Sequence, residues 1–224
     1  LYGLKSSGAA FRAHLAETLD AMGYRPSYAD PDVWLRPAVK PDGFEYYEYI
    51  LCYVDDVLSI SHDPIKSMRR IQKDFKLKDD KIAPPDVYLG ATIEKMTTPN
   101  GKSCWSMSPE QCVKAAVANV EEELARYGKR LPPKCVTPFS SGYAPWLEAT
   151  PELKADGVQR FQELIGQLRW AVEIGRVDIL LETSLLSSHL AMPRAGHLEQ
   201  AFHIFGYLKT HTKRKIGFDP AHPS

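Results

Sequence analysis

The hydrophobic positions at the start of this chain recur with the period of an α-helix. Phe11, Leu15 and Leu19 are spaced by four residues, so a helix would carry all three on one face. We therefore predict a helix over about residues 7–22, with one buried stripe.

A different pattern follows, and it is typical of β-strands. Residues 24–43 contain four prolines, which predicts a loop with short extended pieces. Residues 49–54 and 57–61 are rich in β-branched and aromatic side chains, and they predict the two strands of a hairpin. Asp55 and Asp56 lie at the tip of that hairpin.

The rest of the chain predicts a second pair of strands and a series of helices. A turn signal at 99–101 separates a strand over 87–95 from a returning strand over 103–107. Prolines, serines and glycines are frequent in residues 131–151, which makes this segment the best linker candidate. Helices are predicted after Pro64 and at about 109–128, 157–174, 177–190 and 194–210.

This order of elements predicts an α+β fold. Strands with helices come first and helices alone follow, so we expect an antiparallel sheet with packed helices, followed by an all-helical region. The chain has 224 residues, 44% of them hydrophobic and 25% charged, which is enough to bury a substantial core.

The charge balance counts mildly against a nucleic-acid partner. The chain has 28 basic and 28 acidic residues, whereas nucleic-acid binders are usually basic. The basic residues are nevertheless clustered, and each cluster could follow a phosphate backbone or form a solvated helix face. The clusters are Lys66, Arg69, Arg70, Lys73, Lys76 and Lys78; Lys129, Arg130 and Lys134; and Lys209, Lys213, Arg214 and Lys215.

Other composition features indicate an intracellular protein. No stretch is long and apolar enough to span a bilayer, and no signal-peptide pattern opens the chain. The four cysteines form no C-x-x-C pair, which predicts reduced thiols. His197, His203 and His211 have no accompanying ligand pattern, so we interpret them as ordinary helix residues.

The adjacent carboxylates of Asp55 and Asp56 are candidate ligands for a divalent cation. Two ionised carboxylates side by side repel each other unless a cation neutralises them. Mg²⁺ takes oxygen ligands and often binds one or two carboxylates together with substrate phosphates. The pair therefore indicates a phosphoryl-transfer site, and the alternative is a polar turn, in which Asp is common.

Six short blocks accompany the Asp pair, at spacings that together resemble one protein family. The blocks are Leu1-Tyr2-Gly3-Leu4-Lys5-Ser6-Ser7, Val87-Tyr88-Leu89-Gly90-Ala91-Thr92-Ile93, Thr137-Pro138, Leu164-Ile165-Gly166-Gln167-Leu168, Val177-Asp178-Ile179 and Tyr207-Leu208-Lys209. In this order, over almost the whole chain, they resemble the reverse transcriptase of copia-type retrotransposons.

The resemblance implies an RNA-directed DNA polymerase that works by a two-metal mechanism. Asp55 and Asp56 would be catalytic, as two of the three carboxylates that hold two Mg²⁺ ions, or Mn²⁺ in their place. In the family the third carboxylate lies upstream of the Leu-Tyr-Gly-Leu-Lys block, at which this chain begins. We therefore expect the isolated chain to be inactive.

The resemblance also assigns contacts with the nucleotide. Tyr2, Gly3 and Lys5 match the block that packs beside the incoming nucleotide. Tyr53 and Val54 would lie close to the primer end and the incoming base, and the alternative is that they are ordinary strand residues.

A further block would contact the primer. Tyr88, Leu89 and Gly90 resemble the primer grip, a strand pair that steadies the primer terminus. The alternative, a buried strand with a bulge glycine, is compatible with that role.

Gln162, Gly166 and Trp170 are spaced by four residues and so share one helix face. Leu164 and Leu168 fall on the other side and predict core. An amide, a missing side chain and an indole can lie against a minor groove. The pattern resembles the thumb helix of retroviral reverse transcriptases, which follows the minor groove of the template–primer. The alternative is that Trp170 is core and Gly166 a helix-packing notch.

The resemblance finally implies domains and partners. The domains are a partial palm over 1–107, a helix leading to the thumb over 108–130, a linker over 131–151, a helical thumb or connection over 152–214, and the approach to a missing ribonuclease H domain over 215–224. The partners are an RNA or DNA template with a DNA primer, deoxynucleoside triphosphates, and the fingers, ribonuclease H and integrase of a polyprotein, with no membrane.

The same resemblance implies a cytoplasmic particle as the location. Two other classes stay open: a non-catalytic nucleic-acid-binding remnant of a decayed element, and a helical protein-interaction module.

Overall fold

The chain folds into two compact units of mixed helix and strand, which confirms the predicted α+β class. The computed structural model of the protein describes residues 7–54, 56–76 and 82–218. The first unit extends to Leu89 and the second begins at Gly90. Within the described residues, no helix is long and apolar enough to cross a membrane.

The first unit is built around an antiparallel sheet. Strands β1 to β4 pair in chain order, and the helices are α1 and α2. The elements are α1 Ser7–Ala21, β1 Arg25–Pro26, β2 Val33–Val39, β3 Glu45–Tyr53, β4 Asp56–Ile60, α2 Pro64–Gln72 and β5 Val87–Tyr88.

Strand β2 is longer than the short pieces predicted for residues 24–43. It runs through Pro37, although Pro cannot donate a hydrogen bond to a neighbouring strand. The other neighbour, β1, pairs only with Trp34 and Leu35. Beside Pro37, β2 is therefore an edge strand next to β3, and Pro is tolerated at an edge.

The core of the first unit lies on one face of this sheet. Leu15 and Leu19 of α1 and Ile71 of α2 are buried there against Ile50 of β3. Asp63 caps α2, because its side chain accepts a hydrogen bond from the Lys66 N–H at 3.3 Å. Leu15 and Leu19 belong to the stripe predicted for α1, whereas Phe11, the third residue of that stripe, is exposed.

The carboxylate of Glu48 joins several elements of the first unit. It accepts hydrogen bonds from Arg36 Nε at 3.1 Å, the Tyr24 hydroxyl at 3.2 Å and the Ser61 hydroxyl at 2.7 Å. Burial alone would raise the pKa of Glu48, but the hydrogen bonds from Arg36 and Ser61 hold it below its ordinary value. The ionised carboxylate therefore fixes β3, and with it the hairpin that β3 forms with β4.

The second unit combines an antiparallel sheet with packed helices. Strand β7 lies between β6 and β8. The elements are β6 Ala91–Thr97, β7 Ser103–Ser108, α3 Glu110–Arg126, a 3₁₀ turn Pro145–Leu147, α4 Ala155–Glu173, a 3₁₀ turn Val177–Ile179, α5 Leu180–Ser187, α6 Ala195–Thr210 and β8 Ile216–Phe218.

The boundary between the units differs from the predicted division at residue 107. Strands β6 and β7 belong to the same compact unit as the helices that follow them. Strand β8 pairs with β7, with Phe218 opposite Trp105. The segment expected to approach a further domain therefore completes this sheet through Phe218, whereas the named elements within the predicted helical region over 152–214 are helices and 3₁₀ turns.

Residues 131–151, which we call the strap, are packed against α6 along part of their length. Leu131 and Cys135 are buried in the core of the second unit. The Ser140 N–H donates to Gln200 Oε1 of α6 at 3.1 Å. The predicted linker has no regular hydrogen-bond ladder, so core contacts and α6 side chains hold it in place.

The strap approaches α6 most closely at Gly206. A Cβ at this position would lie 2.9 Å from Cys135 Sγ and 3.2 Å from the Pro132 carbonyl oxygen. Gly166 of α4 differs, because a Cβ there would meet nothing within 4 Å among the described residues.

We expect Gly206→Ala to destabilise the second unit by about 1–3 kcal/mol, because the added methyl group must displace the backbone of the strap. The matched control is Gly166→Ala, which should stabilise the chain by roughly 0.5–1 kcal/mol through reduced backbone entropy. Urea unfolding of both variants measures the two changes. Stabilisation by Gly206→Ala would show that the strap does not contact α6 closely.

Candidate functional site

The predicted Asp hairpin has a two-residue turn. Tyr53 of β3 and Asp56 of β4 are paired across the two strands. Val54 and Asp55 are the two residues between them in the sequence, and Asp55 lies outside the described residues. The predicted strands are confirmed, and Asp56 is itself the first residue of β4.

The backbone of Val54 is strained. Its φ is +54°, in the left-handed region that a β-branched residue rarely adopts. Tight two-residue hairpin turns require positive φ, and they favour Asn or Gly for this reason. Such outliers cost about 1–3 kcal/mol and concentrate at functional sites. The positive φ of Val54 is compatible with both the functional interpretation and the polar-turn alternative.

Asp56 points away from the core of the first unit. Residues opposite each other in an antiparallel pair share a face, so Tyr53 and Asp56 lie together. Side chains alternate along β3, so buried Ile50 faces the other way. Tyr53 is 49% exposed and Val54 78% exposed. The tip thus presents Asp56 and an aromatic ring on an open surface.

Tyr88 lies close enough to the hairpin to respond to its charge. Burial raises the pKa of Tyr88 to about 12, with further contributions from Cys52, Asp56 and Asp30. Burial also raises the pKa of Cys52 to about 11. Both groups therefore stay protonated at neutral pH, and the Tyr88 hydroxyl can act as a hydrogen-bond donor. The two predicted blocks around Asp56 and Tyr88 are thus brought together.

The predicted strand over 87–95 is interrupted at Leu89 and Gly90. Leu89 has a φ of +52° and Gly90 a φ of +80°, so the chain turns between β5 and β6. Among the described residues, Val54 and Leu89 are the non-glycine positions with positive φ. Both lie in blocks that the resemblance assigns to contacts with the primer.

The carboxylates fit Mg²⁺ by donor type, because hard oxygen ligands are those that this ion prefers. Across residues 7–54, 56–76 and 82–218, no group of three or more His, Cys, Asp or Glu side chains is arranged to hold a metal. Tyr2, Gly3 and Lys5, the predicted nucleotide contacts, lie outside the described residues, as does Lys78 of the first basic cluster.

Helix α4 presents the predicted polar and aromatic face. Gln162 and Gly166 are exposed and Trp170 is 40% exposed, whereas Leu164 and Leu168 are fully buried. Trp170 is therefore not a core residue. One N–H of the Gln162 amide donates to the Leu190 carbonyl at 3.0 Å. The other N–H and the oxygen of this amide have no hydrogen-bond partner among the described residues.

A groove of about 470 Å³ runs beside this face, within the second unit. Its walls are largely apolar and include Cys112, Ala116, Gly166, Trp170 and Phe205. Because a Cβ on Gly166 would meet no described atom within 4 Å, Gly166 is not a notch that a neighbouring helix fills. The missing side chain leaves open surface.

The basic clusters are only partly available to a ligand. Lys209 forms an ion pair with Glu121 at 2.6 Å. Lys129 and Arg130 have no acidic partner among the described residues, and they line a surface depression of about 480 Å³ together with Lys209. Two clusters that are distant in sequence thus meet on one surface.

Comparison with known proteins identifies the origin of the chain. It is 31% identical over 215 residues to a transposon Ty5-1 protein of Saccharomyces cerevisiae, which covers 94% of this chain and 63% of that protein. It is 24% identical to each of two retrovirus-related Pol polyproteins, from transposon TNT 1-94 of Nicotiana tabacum and transposon RE1 of Arabidopsis thaliana. The alignments cover 100% and 93% of this chain, but only 16% and 13% of those polyproteins.

The chain is therefore related to the Pol polyproteins of retrotransposons, which confirms this part of the predicted resemblance. No protein-family model matches the chain. No solved structure matches it either.

We expect Val54→Asn to stabilise the β3–β4 hairpin by about 1 kcal/mol, because Asn tolerates the left-handed backbone that strains valine. Amide hydrogen exchange of peptides from β3 and β4 measures this change. The matched control is Val39→Asn, at an exposed strand position without positive φ, which should slow no exchange. Equal effects of the two substitutions would contradict the strain at Val54.

Proposed function

We propose that this chain is part of the RNA-directed DNA polymerase of a retrotransposon, which extends a DNA primer on an RNA or DNA template. The observation that carries the proposal is the hairpin tip, where a strained two-residue turn presents Asp56 on an open face. The retrotransposon origin of the relatives supports the same function.

Asp55 and Asp56 are proposed as catalytic residues that hold Mg²⁺ at this tip. Two anionic ligands in adjacent positions give the divalent ion a fixed location beside the substrate phosphates. Bound Mg²⁺ would lower the pKa of the primer 3′-hydroxyl and neutralise the triphosphate. The protein contributes by holding these ligands in position. The hairpin is short, and the hydrogen bonds of Glu48 anchor it to the sheet.

The residues around the tip are proposed to contact nucleotide and primer. The exposed ring of Tyr53 can pack on a base or sugar, and Val54 lies next to it at the turn. The protonated hydroxyl of Tyr88 can donate to the primer terminus. Leu89 and Gly90 would shape the same contact through their turn.

The remaining nucleotide contacts are proposed for Tyr2, Gly3 and Lys5. A lysine provides positive charge near phosphate, and a glycine permits close approach of the backbone. These roles follow from the resemblance alone.

Helix α4 is proposed to bind the primer–template duplex. Its exposed amide, bare glycine and indole suit the sugar edges and base edges of a minor groove. The apolar groove beside Gly166 extends this surface. Salt-sensitive contacts with phosphates would come from Lys129 and Arg130.

The test uses the full product of the reading frame that encodes this chain, with a DNA primer on an RNA template. We expect Asp56→Asn to abolish Mg²⁺-dependent primer extension and to leave primer–template affinity within about twofold, because Asp56 acts on the metal rather than on the duplex. Primer extension and fluorescence anisotropy measure the two quantities.

Two further substitutions sharpen this test. Asp42→Asn alters an aspartate at the β2–β3 turn of the same sheet, and it should leave both quantities unchanged. Trp170→Ala should weaken binding by about 1–3 kcal/mol, with Trp146→Ala, an exposed tryptophan off α4, as its control. Full extension activity in Asp56→Asn would contradict the proposal. If the unsubstituted protein binds primer–template but does not extend the primer, the result would favour the non-catalytic remnant.

A further inference from the structure

Arg176 is a fully buried cation in the second unit. It follows the last turn of α4, and none of its surface is exposed. Its backbone N–H donates to the Ala171 carbonyl at 2.8 Å, so its position is tied to the end of α4. Arginine is almost never fully buried unless it is paired, which makes its partners informative.

Two side chains bind Arg176 and fix its orientation. Nε and one terminal nitrogen donate to the two carboxylate oxygens of Asp178 at 2.8 and 2.9 Å. The Tyr207 hydroxyl of α6 donates to the same carboxylate at 3.0 Å. The Arg176 guanidinium lies 5.9 Å from the centre of the Tyr207 ring. This network of Arg176, Asp178 and Tyr207 joins the α4–α5 turn to α6.

The ionised form of Asp178 is the one that the network selects. Burial alone would raise the pKa of Asp178, but Arg176 and the Tyr207 hydroxyl outweigh this effect and hold it below its ordinary value. The planar fork of the arginine binds both carboxylate oxygens at once, which adds geometric specificity to the pair. The network therefore specifies a direction and a distance between α4 and α6, which apolar side chains do not.

Stability alone does not account for this arrangement. A buried ion pair often contributes no more than apolar side chains of similar volume, because desolvation offsets the attraction. Arg176 Nη1 has no partner among the described residues, and an unsatisfied buried donor costs about 1–3 kcal/mol. In some proteins buried polar groups contribute structural specificity instead, and we infer the same role for this network.

The structure that the network specifies is the end of α4 on which Trp170 lies. The Ile174 N–H donates to the Trp170 carbonyl at 3.1 Å, and the Arg176 N–H donates one residue further along the helix. A shift of Arg176 would therefore turn or displace the last turns of α4. Gly166 and Trp170 would move with it.

We propose, on the basis of the nucleic-acid role proposed for α4, that Arg176 and Asp178 are positioning residues: with Tyr207, they hold the Gly166–Trp170 face in the orientation that binds primer–template. Arg176 was not among the predicted site residues. The block Val177-Asp178-Ile179 carried part of the signal, because an arginine directly precedes it.

The test replaces the network with apolar side chains and reads the position of α4 directly. The variant is Arg176→Met with Asp178→Leu, which conserves net charge. The protein is the 224-residue chain, in which changing Trp34, Trp105 and Trp146 to Phe leaves Trp170 as the fluorophore. The readouts are urea unfolding, acrylamide quenching of Trp170, and affinity for a fluorescein-labelled DNA primer on an RNA template.

We expect cooperative unfolding with a changed quenching constant for Trp170, and primer–template affinity lowered about tenfold, since small misplacement of a binding face is costly. Tyr207→Phe, which removes only one hydroxyl, should change both readouts in the same direction by a smaller factor. It serves as the test if the double variant does not fold. The matched control is Arg126→Gln with Glu122→Gln, an exposed ion pair of α3, which should change neither.

A folded double variant with unchanged quenching and unchanged affinity would overturn the proposal. If the double variant does not fold, unchanged readouts in Tyr207→Phe would overturn it too. A third outcome is that the protein with the intact network does not bind primer–template, but the double variant still changes the quenching of Trp170. This result would support the positioning of α4 by the network and would reject the function proposed for the α4 face.

Discussion

The candidate site depends on one backbone constraint, the positive φ of Val54. Pairing of Tyr53 with Asp56 leaves two residues to reverse the chain, and a valine in that turn must adopt the left-handed region. Strands β3 and β4 impose this conformation, since β3 is anchored through Glu48 to β2 and to the residues after β4. The sheet thereby balances the strain and holds Asp56 on an open face.

The second unit holds helix α4 with one face exposed, the face proposed to bind primer–template. Buried Leu164 and Leu168 attach α4 to the core, but apolar contacts alone tolerate small rotations. The close contact of the strap with Gly206 and the ion pair of Arg176 add directional constraints on α6 and on the end of α4. Packing provides the affinity between helices, and these polar and steric contacts provide the orientation.

Helices were predictable because apolar spacing determines which face is buried, as Leu15 and Leu19 illustrate. The carboxylate at the hairpin tip was predictable because two β-rich segments flank it. Strand β2 was not predictable, because Pro37 argues against a strand. Only the pairing of β1 with β2 shows that Pro37 lies where β2 is an edge strand. The break at Leu89 has no local signal, because leucine disfavours positive φ. Arg176 could not be predicted as a buried residue, because an arginine in a sequence indicates a surface position, whereas the fold buries it completely.

Metal-directed cleavage tests the central claim, that the Val54–Asp56 tip is a divalent-cation site facing a primer end. The full product of the reading frame, bound to primer–template, is treated with Fe²⁺ and peroxide, which cut chains next to the bound metal. We expect cuts at residues 53–57 and near the primer 3′ end. Excess Mg²⁺ and the Asp56→Asn substitution should each abolish these cuts, whereas Asp42→Asn should leave them unchanged. Cleavage elsewhere, or cleavage that Asp56→Asn leaves intact, would contradict it.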